Sequence, residues 1–392
     1  MSRFTSDPKT FVAGGFAALR RGAPQEAIGA FRRAISAGLG DADVWFGLAG
    51  AQRSLGARDE ELAALDQALN RDTRHMPSLI AKGDWYARAG DVRAADSYYA
   101  AALKLGALIN APPPELRRQL ERIEAARQQY RQDYEAHLTS ALTREGLGAP
   151  GAERFAHALD LLLGRREVFV QQPRHFYFPE LPQVQFYERE RFDWAPALES
   201  ATPDIVEELR AVVANPAGVA PYMETTPDRP RFNTNGLENN PDWSAFFLIK
   251  NGVEVEENTR RCPRTMAALR HVPLCRIDGR TPSVLFSLLK PGTKIPPHNG
   301  FMNARLICHL PLIVPPDCAL RVGNETRTWT EGRVVSFDDS IEHEAWNYSS
   351  ELRSVLIFDV WKPELTEQER RLVSTMLSAI NDYQGRGGEW VE

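Results

Sequence analysis

The chain has 392 residues, 43% of them hydrophobic and 25% charged, with a formal net charge of −5. That length leaves room for two or three domains with ample core, and the acidic balance gives no basic footprint, so a nucleic-acid partner is not expected. Met1-Ser2-Arg3-Phe4-Thr5-Ser6 leads into no apolar signal core and no run is long enough to span a bilayer, so the expectation is a cytoplasmic protein with no membrane partner. Cys262, Cys275, Cys308 and Cys318 form no CxxC pair, which favours reduced thiols over a zinc site or a disulfide frame.

The N-terminal part repeats. Gly22, Gly56 and Gly90 recur every 34 residues, as do Ala34, Ala68 and Ala102. Phe31, Leu65 and Tyr99 share one equivalent position, Ile35, Leu69 and Leu103 another, and Gly15, Ala49 and Gly83 supply small residues where two helices must approach closely. A 34-residue period with these offsets is the tetratricopeptide signature, a helix-turn-helix unit that buries its apolar face only by stacking on its neighbours. Residues 1–110 are therefore read as an all-α tetratricopeptide solenoid. Pro112-Pro113-Pro114 breaks the array. Glu115 to about Leu142 then reads as a charged helix with Leu116, Leu120, Ile123 and Tyr130 near helical spacing, too short a seam for a coiled coil and so a cap on the repeats. Gly146, Gly148, Pro150 and Gly151 mark a hinge and 152–164 a short helix, making 111–165 a helical linker.

From Arg174 the composition turns to aromatics and prolines. A helix is expected at Asp204–Val213, a loop-rich stretch at Asn215–Asn240, a strand at Ser244–Ile249 before the Asn251-Gly252 turn, and a short helix at 264–271. Strands follow at close spacing: 283–290, 304–314, 319–322, 326–330, 334–337 and 353–361. Many short strands separated by tight turns imply a double-stranded β-helix, a cupin-like jelly roll, over 166–365. Thr366 and Glu369 form a capping box that opens a helix to about Asn381, within a terminal segment 366–392.

The densest chemistry lies between Pro297 and Arg353. His298 and His343 are separated by 45 residues, and imidazole suits Fe(II), which in non-haem oxygenases is usually held by two His and one carboxylate. The carboxylate would be expected two residues after the first His, where this chain has Gly300. Spacing alone leaves the metal reading open. A lone His is more often a core or surface group, and no function is assigned to His75, His137, His157, His175 or His271. Period-two alternation places Arg305, Ile307 and His309 on one strand face, and Arg353, Val355, Ile357 and Asp359 on another.

The wording of the stretch is more specific. Ser287 with Lys290-Pro291-Gly292-Thr293, Pro297-His298-x-Gly300, Asn324-Glu325-Thr326-Arg327-Thr328-Trp329, Phe337-Asp338-Asp339-Ser340-x-Glu342-His343-Glu344-x-Trp346 and Asp359-Val360-Trp361-x-Pro363 run in order. Together they resemble the catalytic domain of the aspartyl/asparaginyl β-hydroxylases, Fe(II)- and 2-oxoglutarate-dependent dioxygenases in which Gly at the third-ligand position is itself usual. The resemblance implies Fe(II) held by His298 and His343, with 2-oxoglutarate and O2 as co-substrates. It further implies that Arg353 and Ser287 bind the distal carboxylate of 2-oxoglutarate and His309 the carboxylate near the metal. Asp338 and Asp339 are expected to orient His343 rather than bind metal. Family members often carry cations at the places of Ile307 and Leu285; their loss here puts the substrate acid in doubt and leaves Arg305 as the expected substrate contact. The reaction implied is hydroxylation of a C–H, at the β-carbon of an Asp- or Asn-like group in a peptide or protein, with the tetratricopeptide groove of residues 8–106 presenting it. The alternatives are the same chemistry on a small molecule or lipid, and a catalytically silent repeat-based binding module.

Overall fold

The computed structural model describes residues 8–224 and 238–384. The opening six residues, much of the expected loop at 215–240 and the tail beyond 384 lie outside them. The chain divides into two compact units, 1–159 and 160–392.

The first unit is a stack of helix pairs: α1 (Pro8–Arg20) with α2 (Pro24–Ser36), α3 (Ala42–Ser54) with α4 (Arg58–Arg71), and α5 (Met76–Ala89) with α6 (Val92–Gly106). Gly22, Gly56 and Gly90 all sit in the turns with φ of +72°, +72° and +81°, a left-handed conformation that costs glycine nothing. The volumes at each close approach are complementary. In the first repeat Gly15 faces the Phe31 ring, which a Cβ would meet at 2.6 Å; in the third, a Cβ at Gly83 would run into the Tyr99 ring. The second repeat instead buries Ala49 in one cluster with the smaller Leu65. A long helix, α7 (Pro114–Arg144), closes the stack by laying Leu116, Leu120, Ile123 and Tyr130 against the cluster around Tyr99.

Among the described residues the second unit is two antiparallel sheets built from twelve strands: β1 (Phe186–Tyr187), β2 (Ala220–Pro221), β3 (Trp243–Lys250), β4 (Val253–Glu254), β5 (Val284–Leu289), β6 (Thr293–His298), β7 (Arg305–Ile313), β8 (Cys318–Val322), β9 (Glu325–Arg327), β10 (Val335–Phe337), β11 (His343–Asn347) and β12 (Arg353–Trp361). The larger sheet runs β1-β10-β7-β12-β5-β3-β2 with β4 beside β3; the smaller runs β6-β11-β8-β9. This is the jelly-roll arrangement. Residues of both inner faces, among them Trp243, Leu289, Ile295, Leu320, Trp329 and Phe337, form one buried cluster. The outer face of the large sheet is covered by the helices Ala195–Ser200 and Thr202–Ala214, through Leu198, Ile205, Leu209 and Val212. Thr366 and Glu369 cap each other at the start of the helix Glu367–Gln384, which buries Val373 and Leu377 against Leu181, Phe301 and Met302.

Two strands of the small sheet, β6 and β11, are absent from the expected set; His298 closes the first and His343 opens the second. Proline hides β6: Pro296-Pro297 cannot donate to a ladder, and is accommodated because β6 is an edge strand carrying a register shift opposite β11.

The close approach of α5 and α6 makes a paired test. Gly83→Ala should cost about 1–3 kcal/mol by overpacking. Gly50→Ala, in open space on α3, should be neutral or gain up to about 1 kcal/mol from helix propensity. Urea unfolding of the two variants checks both.

Candidate functional site

Between the two sheets lies a cavity of about 260 Å³. Its small-sheet wall carries His298 and His343, and its large-sheet wall Ser287, Arg305, His309 and Arg353. All six residues singled out by the sequence therefore line one space.

The histidines are direct cross-strand partners, His343 opposite His298, with ring centroids 4.1 Å apart. Each ring is fixed in the same way. His298 Nδ1 lies 2.8 Å from the Pro296 carbonyl and His343 Nδ1 lies 3.0 Å from the Ile341 carbonyl. A carbonyl can only accept, so each Nδ1 carries the proton and each Nε2 the lone pair, the tautomer that a metal ligand needs. Burial, then the neighbouring His298, pushes His343 well below the usual imidazole range, which keeps it neutral. Among the described residues no cluster of three or more His, Cys, Asp or Glu is arranged to hold a metal, so the pair offers two protein ligands.

The opposite wall is built for an anion. Arg353 is 1% exposed, and the register Val355 opposite Ser287 puts its side chain on the same face as the Ser287 hydroxyl. Its Nη1 reaches Ser287 Oγ at 3.4 Å, its guanidinium lies 5.2 Å from the Trp329 ring centre, and its Nε has no partner. Among the described residues no carboxylate pairs with it. Burial accordingly pulls its pKa down to about 10, so that it is still a cation at neutral pH. Trp243 Nε1 also donates to Ser287 Oγ, at 3.3 Å. With two donors pointing at this oxygen, the serine's own hydrogen is left to face a further acceptor. His309 is buried beside them, its Nδ1 without a partner and its pKa pushed down to about 3 by burial and by Arg353.

Arg305 behaves differently from Arg353. It too is 1% exposed, but Nη2 meets Asp339 Oδ2 at 3.1 Å and Nη1 meets Asp359 Oδ2 at 3.2 Å. The expected substrate cation thus already stands between two carboxylates. Asp339 also explains Gly300: a Cβ there would collide with the Asp339 carboxylate, while the Gly300 N–H donates to the Asp339 carbonyl at 2.6 Å. The room where a third ligand's side chain would start is filled by this aspartate. The expectation that Asp338 and Asp339 orient His343 holds only indirectly for Asp338. Asp338 is buried against Lys362 Nζ (2.6 Å) and Gln171 Nε2 (2.7 Å) and accepts from the Ser340 N–H and hydroxyl, shaping the turn whose Ile341 carbonyl grips His343. Lys362, Gln171 and Trp243 carry no signal in the sequence, and Trp329 stands there only as the end of its motif, because a lysine, an amide or an indole signals no role until tertiary contacts place it.

Residues 199–363 match the family model for Aspartyl/Asparaginyl beta-hydroxylase. The matched residues lie wholly within the C-terminal unit. The mouse aspartyl/asparaginyl beta-hydroxylase is 44% identical over 137 residues, 34% of this chain and 18% of that protein. The ornithine lipid ester-linked acyl 2-hydroxylase of Rhizobium tropici is 35% identical over 189 residues, 47% of this chain and 63% of that protein. The chain thus spans less than a fifth of the mouse hydroxylase. Over 34% of this chain the repeats superpose on 98% of the Yersinia enterocolitica type III secretion translocator chaperone SycD at 16% identity, with a TM-score of 0.30.

The depressed His309 allows a pH test. Its folded-state value lies below the unfolded value of about 6.5, so unfolding takes up a proton as pH falls below that point. Above pH 7 His309 should have no effect on the slope; below about 6.5 it should remove stability at up to about 1.4 kcal/mol per pH unit. Urea titrations from pH 7 to pH 5 should show a shallower loss in His309→Asn. A second test concerns the collision at Gly300: Gly300→Ala should destabilise the barrel by about 1–3 kcal/mol, read from its thermal midpoint.

Proposed function

We propose that the β-hydroxylase domain is an Fe(II)- and 2-oxoglutarate-dependent dioxygenase that hydroxylates an unactivated C–H bond. One observation carries this reading: Arg353, a buried guanidinium with no carboxylate partner among the described residues, shares a cavity with two imidazoles whose Nδ1 protons are held by backbone carbonyls, the tautomer a metal ligand needs. A buried charge left unpaired costs several kcal/mol, and a dicarboxylate is the kind of ligand that recovers it.

The residues fit both groups. His298 and His343 would hold Fe(II). Arg353 and Ser287 would grip the distal carboxylate of 2-oxoglutarate, and His309 Nδ1, neutral and unpartnered, would donate to the carboxylate nearer the metal. The bound metal would supply O2 activation coupled to oxidative decarboxylation of 2-oxoglutarate, giving succinate, CO2 and one oxygen atom for the substrate. The protein's part is positioning: the backbone carbonyls of Pro296 and Ile341 fix the two rings, and the apolar walls Ile295, Ile307, Leu320 and Ile357 exclude water.

For the substrate, the family points to the β-carbon of an Asp- or Asn-like group in a polypeptide, which the repeat unit would help recruit. A second reading is favoured by the state of Arg305. With Asp339 and Asp359 already on it, and with Ile307 and Leu285 lining the cavity, Arg305 itself has little net positive charge to offer a substrate acid, although Arg174 lines the cavity too. That suits a neutral aliphatic group, as in the acyl chain named for the Rhizobium relative.

Succinate release from 2-oxoglutarate with Fe(II) and O2 tests the core of the proposal. Arg353→Ala should raise the 2-oxoglutarate concentration for half-maximal turnover by about 100-fold or more, equivalent to about 3–5 kcal/mol. His298→Ala should abolish turnover. Unchanged co-substrate dependence in Arg353→Ala removes the assignment, and mass spectrometry on peptides and acyl lipids separates the two substrate readings.

A further inference from the structure

The segment that leads into the jelly roll runs past the mouth of the site cavity, and it carries a cation that serves neither metal nor co-substrate. Main-chain bonds fix its course. The Gln172 N–H donates to the Ser340 carbonyl at 2.7 Å, the Arg174 N–H to the Gly300 carbonyl at 3.0 Å and the His175 N–H to the Phe301 carbonyl at 3.1 Å. Arg174 is thereby held between the chain that follows His298 and the turn that precedes His343. Of the described residues that line the cavity, Arg174 and Pro297 alone are exposed, whereas Ser287, His309 and Arg353 are buried. Arg174 therefore stands at the mouth and Arg353 at the floor.

Among the described residues the Arg174 side chain has no hydrogen-bond or ion-pair partner. Burial is the main reason that His343 stays neutral, and the charge of Arg174 adds a smaller push in the same direction, so the guanidinium lies within electrostatic reach of that imidazole. The charged residues lining the cavity are three cations, Arg174, Arg305 and Arg353, against two anions, Asp339 and Asp359, which leaves one positive charge. On the proposed reading of the site, Fe(II) and the dianion of 2-oxoglutarate cancel each other. The loaded cavity then keeps that one positive charge, and with Arg305 neutralised and Arg353 occupied it sits on Arg174. A guanidinium at a wet mouth pairs with an oxyanion without the desolvation cost of a buried pair, and its planar fork fits a carboxylate at two points.

We propose that Arg174 is the specificity-determining contact of this site: its guanidinium pairs with one carboxylate of the substrate at the mouth, while the aliphatic part to be oxidised lies inside against Leu285, Ile307 and Ile357. The substrate class is then a monocarboxylate with an aliphatic portion, neither a doubly charged anion nor a wholly neutral molecule. The acid contact thus moves from Arg305, inside the motif-bearing stretch, to a residue that precedes it. This inference rests on the 2-oxoglutarate reading of the floor, which occupies Arg353 and leaves Arg174 to the substrate.

The test is isothermal titration calorimetry on the full chain loaded with Fe(II) and 2-oxoglutarate under nitrogen. The probes are pairs that differ in one charge: hexanoic, octanoic and decanoic acids against their amides, and end-blocked tripeptides holding one Asp against the same peptides with Asn. Acids should bind more tightly than their amides, and the preference should shrink as salt rises. Arg174→Gln should weaken the acids by about threefold to tenfold, the worth of a part-exposed charged pair, and leave the amides unchanged. Arg174→Lys should recover part of the loss. Arg210→Gln, exposed on the outer helix Thr202–Ala214, should change nothing. Because the Arg174 side chain has no partner to lose, the thermal midpoint of Arg174→Gln should match that of the parent. The proposal is overturned if no acid binds more tightly than its amide, or if Arg174→Gln keeps the preference. Failure of 2-oxoglutarate to bind the Fe(II)-loaded chain, read before any probe is added, overturns the reading of the floor and this inference with it.

Discussion

Arg353 carries a full charge into the protein interior, and the structure gives it a hydroxyl and an aromatic face but no counter-ion among the described residues. Folding therefore leaves an electrostatic deficit in the large-sheet wall. The surrounding contacts hold the guanidinium in place without neutralising it: Ser287 takes one N–H, and Trp243 takes the other side of the same oxygen. Arg305 shows what full neutralisation looks like in the same cavity, with Asp339 and Asp359 on its two terminal nitrogens. Two arginines of equal burial thus have different chemistry because their neighbours differ.

The small-sheet wall depends on backbone rather than charge. Both imidazoles are locked by a carbonyl two residues earlier in the chain, which sets tautomer and ring direction together. The register shift at Pro296-Pro297 lets an edge strand with two consecutive residues that cannot donate still bring His298 opposite His343. Asp338, paired with buried Lys362, braces the turn that supplies the second carbonyl. A missing Cβ at Gly300 makes room for the Asp339 carboxylate, so the glycine and the Arg305 ion pair form one structural unit. The two walls meet in a cavity because side chains alternate along every strand, and one alternate set from each sheet faces inward.

In the repeat unit the governing constraint is volume. Gly against Phe, Ala with Leu and Gly against Tyr set a small residue against a larger one in each helix pair while the residues change. The same packing brings the first helices of successive pairs into contact, α1 with α3 and α3 with α5.

The amino-acid sequence by itself determined the 34-residue helical period, the strands β3, β5, β7 to β10 and β12 of the jelly roll and, through the family resemblance, the six residues that line the cavity. Each of these is a local or ordered signal: Gly22, Gly56 and Gly90 must take up a left-handed turn wherever the stack goes, and alternation puts Arg305 with His309 on one face. Only the tertiary structure decided that Arg305 is neutralised and Arg353 is not, that Gly300 gives way to Asp339, and that carbonyls rather than carboxylates orient the histidines. Those outcomes depend on partners 34 and 54 residues from Arg305, and 39 residues from Gly300, along the chain. Spacing in sequence says nothing about which of several buried charges comes to rest against another. That is settled by strand register, which fixes distances across a sheet to within a hydrogen bond.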